Sequence, residues 1–139
     1  MKSNSLVPEL SITDFPETIR FYTDILGFTI EYQREEEGFA YLSLGESQIM
    51  VDQIGFTRTW QTGEYEYPLG RGVNFQIEVP DIESLLERLS QNGIDLFMEP
   101  EEKWYRKDET EVGNRQFLVQ DPDGYLLRFF EDIGTRELR

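Results

Sequence analysis

Apolar and polar positions along the chain switch between two periods, and the switches divide it into elements. Residues 6–12 read as a first strand, with Pro8 marking an arm or edge because it lacks an N–H for a ladder. Phe15, Ile19, Tyr22 and Leu26 then recur at helical spacing. Asp14 is placed to cap that helix, Pro16 suits its first turn, and Gly27 stops it. Three strand-like runs follow at 28–33, 39–44 and 48–54, joined by Glu35-Glu36-Glu37-Gly38 and by Gly45-Glu46-Ser47. The first half therefore reads β-α-β-β-β, over about residues 6–54.

Residues 55–72 break the pattern with Trp60, Tyr65, Tyr67, Pro68 and several glycines, and read as a linker. The order then repeats over about residues 73–131. In the strand 73–79, Val73, Phe75, Ile77 and Val79 share one face and Asn74, Gln76 and Glu78 the other. Asp81 caps a helix in which Ile82, Leu85, Leu86 and Leu89 follow i, i+3, i+4, i+7, and Asn92-Gly93 ends it. A short strand at 95–98 and a hairpin, 115–120 with 125–131, complete the copy. The hairpin loop is Asp121-Pro122-Asp123-Gly124: Pro122 sets φ at the first corner, Asp121 accepts from the turn, and Gly124 supplies positive φ. In the last strand Leu127 and Phe129 share one face, and Leu126, Arg128 and Phe130 the other. The pattern predicts an α+β fold, two β-α-β-β-β modules in one domain spanning 1–139.

Composition narrows the chemistry. The net charge of −15, from 13 basic and 28 acidic residues, disfavours nucleic acid and anionic lipid as partners and favours cations. No apolar run reaches the ~18 residues of a membrane span, and the start of the chain lacks a signal-peptide pattern, so the expected location is cytoplasmic. With no cysteine and no histidine, thiolate and imidazole drop out as nucleophiles, bases and metal ligands. Ser43, Ser47 and Ser84 have no histidine partner, and the runs Glu35–Glu37 and Glu101-Glu102 read as solvated turns.

The phrase Phe21-Tyr22-x-x-x-Leu26-Gly27-Phe28 in the first module, and Gly113-x-Arg115-x-Phe117 running into Asp121-Pro122-Asp123-Gly124 and Phe130-Glu131 in the last, resemble the vicinal oxygen chelate superfamily. That superfamily holds glyoxalases, extradiol dioxygenases and bleomycin-resistance proteins. The resemblance covers roughly residues 6–131 and implies a curved eight-stranded mixed sheet, a cup with helices outside. Its enzymes hold a divalent metal with His/Glu side chains from the first, fourth, fifth and eighth strands. The matching positions here are Val7, Val51 (to within one residue), Asn74 and Arg128, with Asp52 turned away if Val51 points in. Two apolar residues, an amide and a cation make no metal site, so no metal, cofactor or catalytic residue is assigned.

What remains is a cup with aromatic rims. The candidate ligand-binding residues are Trp104, Tyr105, Trp60, Tyr65, Tyr67, Asn74, Gln76, Glu78, Arg128 and Phe130. Trp104 sits near the place of a tryptophan in bleomycin-resistance proteins, where this chain has Asn114. Rings suit a planar ligand and carboxylates a positive charge. The leading expectation is a metal-independent protein of bleomycin-resistance type that sequesters a small molecule without turnover. It is expected to form a homodimer, with Pro8 at the exchange point of an N-terminal arm. Two alternatives stay open: a metal-dependent lyase, isomerase or dioxygenase with displaced ligands, and a non-catalytic module that binds another protein through its acidic surface.

Overall fold

The first repeat folds as its pattern predicts, with one change in the helix. The computed structural model describes residues 1–57 and 60–138; linker residues 58 and 59 lie outside the described residues. Strand β1 (Glu9–Ile12) leads into α1 (Phe15–Ile19), where the Asp14 carboxylate accepts from the Glu17 N–H at 3.0 Å. Residues Arg20–Ile25 continue α1 as a π-helical segment rather than as α-helix. The Thr23 hydroxyl donates to the Ile19 carbonyl at 2.7 Å, and the Leu26 N–H reaches back five residues to Phe21 at 3.0 Å. A side chain competing for a turn carbonyl widens the helix in this way, and here Phe21, Tyr22 and Ile25 are all buried. Strands β2 (Thr29–Arg34), β3 (Phe39–Leu44) and β4 (Ser47–Gln53) follow. The sheet order is β1-β4-β3-β2, with β1 parallel to β4 and the other pairs antiparallel.

The second repeat contains β5 (Asn74–Glu78), α2 (Glu83–Gln91), β6 (Met98–Lys107), β7 (Thr110–Gln120) and β8 (Leu126–Glu137), in the order β5-β8-β7-β6. The N-cap of α2 is Ile82, one residue later than the expected Asp81, whose side chain still accepts from the Glu83 N–H at 3.0 Å. The expected short strand at 95–98 is instead the ten-residue β6, and its partner β7, together with β8, outruns its predicted end. Most of β6 is exposed, and its run Glu99–Lys107 is charged on both faces, so it carries no period-2 apolar signal. Such charge suits an edge strand, which must not recruit another.

The chain divides into two compact units: residues 1–69 with Asp121–Gly124, and residues 70–120 with the chain from Tyr125 onward. The β7–β8 loop thus groups with the first repeat while its strands belong to the second. Its geometry is the predicted turn, with Gly124 N–H donating to the Asp121 carbonyl at 2.9 Å and Gly124 at φ +93°. Both turn carboxylates are buried. Asp121 accepts from the Tyr22 hydroxyl at 2.8 Å, and Asp123 accepts from the Thr13 hydroxyl at 2.6 Å and the Thr13 N–H at 3.1 Å. The Leu69 N–H donates to the Asp123 carbonyl, tying down the end of the linker.

Alternation fills the core of each unit. Leu10, Ile12, Ala40, Leu42, Ile49 and Val51 are buried in the first, and Ile77, Phe117, Val119, Leu127 and Phe129 in the second. Phe117 and Phe129 face each other across β7–β8 with ring centroids 5.6 Å apart. Each such side chain, fully buried, contributes roughly 1.5–3 kcal/mol relative to exposure.

Candidate functional site

On the second-unit sheet the residues that alternate with the core point to the opposite face. Cross-strand register sets them side by side: Gln76 beside Arg128, Glu78 beside Phe130, and Asn114 beside Asp132. Tyr105 of β6 lies opposite Val112 of β7. These side chains line a cavity of about 350 Å³, near the lower end of the ~300–1,000 Å³ usual for small-molecule pockets. Two carboxylates, Glu78 and Asp132, and one guanidinium, Arg128, give it its charge. The Tyr105 ring is held in place, its hydroxyl accepting from Gln116 Nε2 at 2.6 Å, and Gln116 donates also to Glu101 at 3.2 Å.

Five of the sequence-predicted residues meet here: Gln76, Glu78, Tyr105, Arg128 and Phe130. Asn74 lies further along the same face of β5, paired with Leu126, and is not among the lining residues. Val112, Asn114 and Asp132 line the cavity without having been singled out. The alternation that sets Arg128 and Phe130 on this face reaches Asp132 as well, one residue beyond the predicted end of the strand at 131.

Trp104 occupies the other side of β6. It pairs with Gly113, and its indole lies where a Gly113 Cβ would stand, 2.8 Å from Cη2 and Cζ3. The Arg136 guanidinium covers the ring 4.0 Å from its centroid, and Arg136 Nε donates to Glu111 at 2.9 Å. Trp104 is therefore a packed ring on the face opposite Tyr105. Trp60, Tyr65 and Tyr67 belong to the first unit. Trp60 and Tyr67 are exposed, and the Tyr65 hydroxyl donates to Ser11 Oγ at 3.2 Å.

The rest of the terminal phrase is structural. Arg115 pairs with Glu83 at the start of α2 and with Glu131 at 3.4 Å, while Glu131 accepts from the Ile82 N–H at 3.2 Å. Hydrogen bonding to Glu83, aided by the charges of Glu83 and Glu131, holds the Arg115 guanidinium above its ordinary value. Gly113, Arg115, Phe117, Asp121, Asp123, Phe129 and Glu131 thus each have a partner in the architecture.

The residues do not fit a divalent metal. Val7 precedes β1, and Val51 is fully buried beside Leu10 in register. Asp52, expected to turn away, is thereby the β4 residue on the face opposite the core, level with Ser11. In the second unit, Asn74 offers a neutral amide and Arg128 a positive charge that repels a cation. Among the described residues no three carboxylates converge as a metal-binding group.

A second cavity, about 460 Å³, lies in the first unit between the start of α1 and β2, lined by Phe15, Ile19, Ile30, Gln33 and Phe56 among others. Its rim carries Glu35, which accepts from Gln33 Nε2 at 3.2 Å, while Glu37 is paired with Arg34.

Comparison with known proteins supplies relatives for this architecture. A family model described as Glyoxalase/Bleomycin resistance protein/Dioxygenase superfamily matches residues 6–129. A bleomycin resistance protein from Geobacillus stearothermophilus is 30% identical over 93% of this chain and 97% of its own length. A lactoylglutathione lyase from Haemophilus influenzae is 28% identical over 91% of each. Among solved structures, TioX from Micromonospora sp. ML1 superposes with a TM-score of 0.68 at 24% identity, covering 97% of this chain and all (100%) of that one. The last likeness is one of fold.

Proposed function

The chain belongs to the glyoxalase/bleomycin resistance protein/dioxygenase superfamily, and we propose that within it the protein is a metal-independent binder that sequesters a planar, positively charged small molecule. The observation that carries this reading is the second-unit cavity, where the Tyr105 and Phe130 rings stand with the Glu78 and Asp132 carboxylates. A planar cation gains stacking from the rings and charge attraction from the acids. Arg128 occupies the eighth-strand position at which the superfamily's enzymes carry a metal ligand, which favours binding over metal-assisted turnover. The site residues in this reading are Gln76, Glu78, Tyr105, Arg128 and Phe130, with Asn74 further along the same face of β5.

The proposed assembly is a two-fold homodimer in the cytoplasm, a single domain per chain, with neither nucleic acid nor membrane as partner. The less charged edges of the two sheets, β1, β2 and β5, support pairing with a second copy. No helix among the described residues is long and apolar enough to cross a membrane. The N-terminal arm lies along its own β4, with Met50 N–H donating to the Pro8 carbonyl at 2.9 Å and Gln48 Nε2 to that of Lys2 at 2.8 Å. An exchanged arm would make the same bonds to the β4 of a second copy.

Titration with bleomycin-class glycopeptides and with simple planar cations, followed by calorimetry, tests the reading. Saturable one-to-one binding supports it; a neutral or anionic metabolite that binds better at every salt concentration would overturn it. The likeness to a lactoylglutathione lyase favours one other reading, a metal-dependent lyase. That reading requires lactoylglutathione lyase activity to appear when Zn²⁺, Ni²⁺ or Mn²⁺ is added.

A further inference from the structure

The pairing of the arginines is uneven. Arg34, Arg115 and Arg136 each hold a carboxylate, as expected where 28 acidic residues face 13 basic ones. Arg128 holds none. Its Nε is buried and has no hydrogen-bond partner, and its side chain makes no ion pair or hydrogen bond among the described residues. A buried donor left without a partner is unfavourable, and more so when it is charged. Folding alone gains nothing from such an arrangement, and nearby acids do not relieve it: Glu78 and Asp132 line the same cavity without engaging the guanidinium.

Strand geometry separates these charges. Arg128, Phe130 and Asp132 are alternate residues of β8, in unbroken register with Leu118, Gln116 and Asn114 of β7. At ~3.4 Å per residue, the Arg128 and Asp132 backbones stand roughly 13–14 Å apart with Phe130 midway. Glu78 lies beside Phe130 on the neighbouring strand. Along one wall the cavity therefore offers a cation, then a ring, then anions.

We propose that Arg128 is the anchor for an oxyanion group of the ligand, a carboxylate or its equivalent, in the cavity of the second unit. A planar guanidinium binds such a group through two parallel hydrogen bonds. This rests on the sequestration reading for the rest of the molecule: with a cationic group at Glu78 and Asp132, the ligand class becomes dipolar, an aromatic body with an acid at one end and an amine at the other.

Three probes of one shape separate the possibilities: 4-(aminomethyl)benzoate carries both charges, benzylamine only the positive one, and benzoate only the negative one. Each is titrated into the wild-type protein, Arg128→Gln and Arg128→Lys, with chemical-shift perturbation reporting the site. The expected result is that 4-(aminomethyl)benzoate binds at least tenfold more tightly than benzylamine. Arg128→Gln should erase that difference by weakening 4-(aminomethyl)benzoate at least tenfold, with benzylamine bound no less tightly than by wild type because a repelling charge is gone, while Arg128→Lys keeps part of the difference. If benzylamine binds as tightly as the dipolar probe to wild type, the anchor is overturned and the cation reading stands. If benzoate binds through Arg128 and benzylamine does not bind, the anchor stands and the cation reading falls. If none of the three shifts resonances of the cavity at millimolar concentration, both are overturned. The wild-type ranking decides the matter even where Arg128→Gln folds poorly.

Discussion

The Tyr22 hydroxyl donates to Asp121 Oδ2 at 2.8 Å, joining residues 99 apart in sequence. The ring is fully buried and packs edge-on against Phe21 and Phe28, with centroids 5.5 and 5.2 Å away. The aromatic phrase of the first repeat and the Asp-Pro-Asp-Gly turn of the second are thus two halves of one contact. Asp123 repeats the device on Thr13. These two acids, turn residues by their sequence, also hold the β7–β8 loop to the first repeat.

Tyr22→Phe should accordingly cost about 1.5–3 kcal/mol, the range for a hydrogen bond to a charged group. Urea unfolding monitored by circular dichroism measures it. A change within a few tenths of a kcal/mol would mean that Asp121 finds water instead.

Gly113→Ala should destabilise by roughly 1–3 kcal/mol, because the new methyl must displace the Trp104 indole or Ile133, each 2.8 Å from its position. The tryptophan emission should shift to the red as the ring leaves its place under Arg136. An unchanged spectrum and midpoint would contradict the packing described.

Tyr105→Ala and Phe130→Ala should each weaken binding of a planar cation roughly tenfold once lost burial is added to lost stacking. Trp104→Ala, on the other face of β6, should lower stability and leave the affinity within about twofold. Added salt should slow association more than it speeds dissociation. Equal losses of affinity from Tyr105→Ala and Trp104→Ala would mean that the indole, not the phenol, meets the ligand.

Elemental analysis after expression in metal-supplemented medium should find no stoichiometric Zn, Ni, Fe or Mn. One bound ion per chain, lost on Asp52→Ala, would restore the enzyme reading and place the metal on the face level with Ser11.

Light scattering at tens of micromolar, an order-of-magnitude choice suited to a mass-action test, should give twice the chain mass of 16.4 kDa. A monomer at that concentration would leave the sheet edges to be protected by their own charge, as on β6.

Period and punctuation alone determined the element order: β-α-β-β-β twice, the helix cap at Asp14, the turn at Asp121–Gly124 and the buried face of β8. These depend on residues within a few positions of each other, so local pattern carries them. What local pattern cannot carry is the face or length of a strand whose two sides are equally polar, and β6 is such a strand. Only pairing with β7 fixed its span at Met98–Lys107, and the same pairing set Trp104 on Gly113 and Tyr105 in the cavity. The register of β1 on β4 likewise decided that Val51 is core and Asp52 is not, a one-residue question that reverses every side chain. The unpaired state of Arg128 was also out of reach of the sequence. Whether a charge has a partner depends on which distant side chains the sheet brings beside it, and in so acidic a chain composition alone would have predicted a partner.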